Sequence, residues 1–75
     1  MDKLIVEEVL RLTDMHQHTW RDQSDTFWMM GLMQEIGELS GALIGRHHHT
    51  PETELRQIAA ICINWLDYRS TRNAE

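Results

Sequence analysis

A single cysteine, Cys62, stands in the 75 residues, so no internal disulfide can form, and this fits a reducing cytoplasmic compartment. No Cys/His spacing offers a structural zinc site either. Basic residues are also in short supply: 7 against 12 acids, a formal charge of -5, with no basic stripe and no Gly-rich aromatic platform. Nucleic-acid binding has little to rest on without such a surface. No apolar run approaches the roughly 20 residues of a membrane span, and Met1-Asp2-Lys3-Leu4 opens with too many acids for a signal peptide. Internal repeats, low-complexity linkers and strand-like alternation are missing as well.

What remains is one small domain over residues 1–75. A chain of this size buries only about 60% of its unfolded surface, so its core is marginal. Lacking disulfide and zinc, it has self-association as its remaining source of stability.

Helical periodicity accounts for nearly all of it. A first helix is expected from Lys3 to Trp20 with Asp2 as N-cap, its packed face carrying Ile5, Val9, Leu12 and His16. Arg21–Asp25 reads as a loop in which Ser24 or Asp25 caps the next helix. That helix is expected from Thr26 to Ile44, with Trp28, Leu32, Ile36, Leu39 and Leu43 within an arc of roughly 80°. Gly45 suits the left-handed position just past a helix end, and Arg46-His47-His48-His49 makes the turn. Thr50-Pro51 supplies an N-cap and a first-turn proline for a third helix from Pro51 to Ser70. Leu55, Ile58, Ala59, Cys62, Trp65 and Leu66 share its main apolar face, widened by Ile61 and Ile63. A helix so apolar around its girth needs partners on more than one side. The expected fold is therefore all-α: an antiparallel hairpin of the second and third helices, covered by the first and assembled into a homodimeric or homotetrameric bundle.

The polar residues of the hairpin carry the chemistry. Gln34, Glu35 and Glu38 lie beside the apolar stripe of the second helix, with Gly31 and Ala42 keeping the ground around them low. Glu54, Gln57, Ile61 and Asn64 occupy a neighbouring arc of the third. At about 1.5 Å per residue from the turn, Glu54 lies at roughly 6 Å, Glu38 and Gln57 near 10 Å, and Glu35 near 15 Å. Three carboxylates and an amide can thus face one another across one groove. Oxygen ligands of this kind suit Mg²⁺, which is commonly held by a few carboxylates together with substrate phosphates.

Gln34-Glu35-Ile36-Gly37-Glu38 and Glu54-Leu55-Arg56-Gln57, fifteen residues apart, resemble the EExxE…ExxD motif of the MazG-like nucleoside triphosphate pyrophosphatases. Gln replaces the first acid and the last. The likeness extends from Gly31 to Leu66, about half the chain. It implies Glu35, Glu38 and Glu54 as Mg²⁺ ligands, with Gln57 at the fourth ligand position and Glu35 and Glu38 as the catalytic carboxylates. It implies substrate contacts from Asn64, with Gln34, Trp28 and Arg56 as further candidates. The implied reaction splits a nucleotide between its α- and β-phosphates, releasing a monophosphate and pyrophosphate. The competing expectation is a non-catalytic oligomerisation or regulatory module on the same helices. His47–His49 reads as a solvated turn, Cys62 as an inert core thiol, and Met29, Met30 and Met33 as an oligomer contact.

Overall fold

A computed structural model describes residues 1–20, 24–46 and 48–74, apart from the side chains of 72–74. It consists of three helices, α1 (Lys3–Thr19), α2 (Asp25–Leu43) and α3 (Pro51–Ala74), with no strand among the described residues. The loop expected over Arg21–Gln23 and the His47 position of the turn lie outside the described residues.

Local chemistry sets the helix ends. Asp2 Oδ1 accepts from the Leu4 amide at 2.8 Å and so satisfies one of the free donors that begin α1. Ser24, rather than Asp25, caps α2: its Oγ accepts from the Phe27 amide at 3.2 Å, and Asp25 becomes the first helical residue. Thr50 Oγ1 does the same for the Thr53 amide at 3.2 Å, with Pro51 at the first position of α3. α2 closes through Gly45 at φ 75°, a left-handed conformation that glycine adopts without a Cβ penalty. The Gly45 amide then donates to Ala42 O at 3.1 Å and the Arg46 amide to Gly41 O at 2.8 Å, the Schellman arrangement. α3 continues past the expected Ser70 to Ala74.

α3 is the central element. It packs against both α1 and α2, whereas α1 and α2 do not pack on each other among the described residues. α1 therefore covers one side of α3 rather than the hairpin as a whole. Arg69 near the end of α3 bonds Asp25 at the start of α2 at 2.6 Å, and Trp65 Nε1 donates to the same carboxylate at 2.7 Å. α2 and α3 thus run in opposite directions. Around the link from α1 to α2, Trp20 meets His16 at 4.3 Å between centroids, Phe27 at 5.8 Å and Trp28 at 5.9 Å.

The buried side of α3 differs from the one that hydrophobicity suggests. Ala60, Ile61, Glu54 and Asn64 are buried, while Leu55, Ile63 and Leu66 are exposed and Cys62 is only half-buried. Two helices flank the 54-61-64 edge, and that contact turns the broader apolar stripe outward. Leu12, Thr13 and Trp28 complete the buried set, whereas Ile5, Ile36 and Leu43 of the expected packed faces stay exposed. Leu66 at 69% and Met30 at 66% exposure are joined among the exposed apolar side chains by Met29, Met33 and Ile44. No described helix is long and apolar enough to cross a membrane.

Candidate metal centre

Glu35 and Glu38 stand one turn apart on α2, and Glu54 enters from the first turn of α3. The antiparallel packing brings one oxygen from each to within 4.8 Å of the others. Glu54 is 1% exposed, and Glu35 and Glu38 are half-buried. Glu35 Oε2 is itself buried and accepts no hydrogen bond from the described residues.

Crowding of this kind has an electrostatic consequence. Burial, followed by hydrogen bonding to Glu54 and to Glu38 and by repulsion from both charges, pushes the Glu35 carboxyl up to about 8. Near neutral pH Glu35 therefore keeps its proton. A divalent cation would do what that proton does, with more charge and more oxygen ligands, and the donor set fits Mg²⁺. Glu35, Glu38 and Glu54 are the residues that would hold it.

The remaining expected site residues lie elsewhere. Gln57 follows Glu54 by three residues, a rotation of about 300°, and this carries its side chain from the α2 side of α3 to the α1 side. There it faces His16, whose pKa is lowered chiefly by burial, with the Gln57 side chain acting in the opposite direction. Arg56 joins Gln57, Arg11 and Glu8 in a cleft of about 480 Å³ between α1 and α3. Asn64, 3% exposed, donates from Nδ2 to Thr13 O at 3.0 Å. Trp28 is 4% exposed inside the aromatic cluster, and Gln34 is exposed on α2. The structure therefore brings together the three glutamates and leaves Gln57, Asn64 and Arg56 facing α1.

One residue at the centre escaped the sequence reading. His49 Nδ1 lies 2.9 Å from Glu54 Oε1, although His49 itself is about half exposed. Its signal was its position: Thr50 and Pro51 fix the start of α3, which places the residue before the N-cap level with the first helical turn. Within the described residues, the only group of three or more His, Cys, Asp or Glu residues arranged to hold a metal ion is Glu35–Glu38–Glu54. No family model, curated protein or solved structure matches the chain.

Proposed function

We propose that this protein is a Mg²⁺-dependent nucleotide pyrophosphohydrolase, resembling the MazG-like family, that converts a nucleoside triphosphate to its monophosphate and pyrophosphate. The observation that carries the reading is the convergence of Glu35, Glu38 and Glu54 oxygens within 4.8 Å at the seam of two antiparallel helices. When bound there, Mg²⁺ supplies charge neutralisation for phosphate oxygens and orients them for in-line attack. The chain's own part is to hold that charge from three rigid helical positions. The second oxygen of Glu35 or Glu38, the one not turned to the cation, accepts the proton of the attacking water. The open surface beside Gly31, where an added Cβ meets nothing within 4 Å, leaves room for a phosphate chain.

The exposed apolar surface supports assembly into a homo-oligomer. Met29, Met30, Met33, Ile36 and Leu43 on α2 and Leu55 and Leu66 on α3 are too many for a monomer of this size to leave in water. A second copy would cover them and add a wall to a groove that one hairpin leaves open.

A second reading, a non-catalytic helical assembly on the same scaffold, draws support from the placement of Gln57, Asn64 and Arg56 toward α1. The two readings separate in one assay. The protein is incubated with Mg²⁺ and a panel of standard and modified nucleoside triphosphates, and pyrophosphate release is followed. Release from one or more nucleotides is expected. No product from any of them, with no heat of Mg²⁺ binding by calorimetry, would leave the assembly reading standing.

A further inference from the structure

We infer that His49 is a positioning residue for the cation site: its Nδ1–H fixes the Glu54 carboxylate from the turn between α2 and α3. The inference rests on the metal-site reading above and names the group that supports one of its ligands. Three features carry it. The Nδ1–Oε1 distance is 2.9 Å, full hydrogen-bond range. Glu54 is 1% exposed, so one of its oxygens is held by a donor that reaches in from a more exposed residue. And a carboxylate that binds a cation is ionised and only accepts hydrogen bonds, so with the site loaded the proton of this contact sits on the imidazole.

The geometry also separates support from ligation. His49 is not part of the trio whose donor atoms lie within 4.8 Å of one another. Its hydrogen bond to that trio is made to Glu54. With Oε1 engaged by His49, the rotation of the Glu54 side chain is restricted. Partners that hold a metal-ligating side chain in this way typically change metal affinity by about 10-fold to 100-fold when removed.

The test compares the full chain with His49→Ala, His49→Asn and, as a control on α1, His18→Ala, each titrated calorimetrically with Mg²⁺ and with Co²⁺ at one fixed pH. Circular dichroism melts accompany each variant. The expected result is about a 10-fold weaker Mg²⁺ and Co²⁺ affinity in His49→Ala, with most of the loss recovered in His49→Asn, whose amide N–H replaces the Nδ1–H donor. His18→Ala should match the parent. A Mg²⁺ affinity of His49→Ala within two-fold of the parent overturns the inference and leaves the metal site intact. Loss confined to Co²⁺ also overturns it, because a direct imidazole ligand favours the softer ion while Mg²⁺ selects oxygen. If the parent chain binds neither cation, the metal-site reading itself fails, and this inference falls with it. Should His49→Ala lose its helical signal, His49→Leu, which keeps bulk and removes the donor, is titrated in its place, and a Mg²⁺ affinity within two-fold of the parent overturns the inference.

Discussion

The side-chain amide of Asn64 donates to the backbone carbonyl of Thr13 over 3.0 Å, joining two residues 51 positions apart at a buried contact between α3 and α1. Thr13 Oγ1 in turn donates to Val9 O at 2.8 Å, whereas Asn64 Oδ1 is buried and accepts from none of the described residues. A residue expected to touch substrate is thereby a fastening between helices.

Replacing Asn64 by Ala should therefore lower unfolding free energy by about 1–3 kcal/mol through the lost bond and the space left behind. Urea denaturation measures this. Mg²⁺ affinity should stay within two-fold of the parent. A large rise in nucleotide KM at unchanged stability would instead return Asn64 to substrate binding.

The Glu35 carboxyl, raised from 4.5 to about 8, makes the cation-free fold sensitive to pH. Between those values the folded chain holds a proton that the unfolded chain has released. Stability from this group is thus fully present below pH 4.5 and is lost as pH climbs through about 8. Melting temperature should decline more steeply from pH 5 to pH 9 in the parent than in Glu35→Gln. Parallel curves for the two proteins would show that Glu35 ionises normally. Saturating Mg²⁺ should flatten the parent's decline, because the cation replaces the proton.

Glu38→Gln removes one ligand charge and keeps the shape. Under the hydrolase reading, turnover should fall by more than about 100-fold while far-ultraviolet circular dichroism is unchanged. Turnover equal to the parent's would remove Glu38 from the site.

Asp25 receives Trp65 Nε1 and Arg69 Nη1 on its two oxygens, at 2.7 and 2.6 Å. The carboxylate also sits in the first turn of α2, where negative charge favours the helix. Asp25→Ala should cost about 1–2 kcal/mol, less at high salt because both ion-pair partners are about half exposed. Asp25→Asn, which keeps one acceptor for Trp65, should lose a smaller share. Guanidinium is unsuitable for this comparison, since it screens the pair; urea at two salt concentrations resolves it.

Met33→Glu tests the assembly. Met33 is 64% exposed in the single chain, so a charge there costs little within the monomer. Light scattering should record a drop in mass toward that of one chain, with helicity retained at high concentration. A parent that is already monomeric would dispose of the oligomer proposal.

Much of the fold was legible in the sequence because its signals are local. Asp2, Thr50-Pro51 and Gly45 mark helix ends through hydrogen bonds that span five residues or fewer, and each fell where its chemistry demanded. The facing of Glu35, Glu38 and Glu54 was also accessible, since a short turn forces two helices into antiparallel contact and 1.5 Å per residue then sets the heights. Gln57 was harder. Its height matched Glu38, but its direction depends on where α1 packs, and nothing in the α2–α3 motif encodes that. The same applies to α3 as a whole, where hydrophobic phase pointed to Leu55 and Leu66 as core and the packing buried Ile61, Asn64 and Glu54.

The sequence by itself determined three helices, their caps and the three carboxylates that share a height. Their cause is short-range: backbone donors and acceptors at helix ends, and the 3.6-residue period. Only the tertiary structure decided which side of α3 is inside, that Asn64 and Gln57 serve α1, and that His49 reaches Glu54. Those choices come from the three-dimensional competition between helix faces for neighbours. The edge of Glu54, Ile61 and Asn64, flanked by helices on both sides, wins burial over the face of Leu55 and Leu66, which stays exposed.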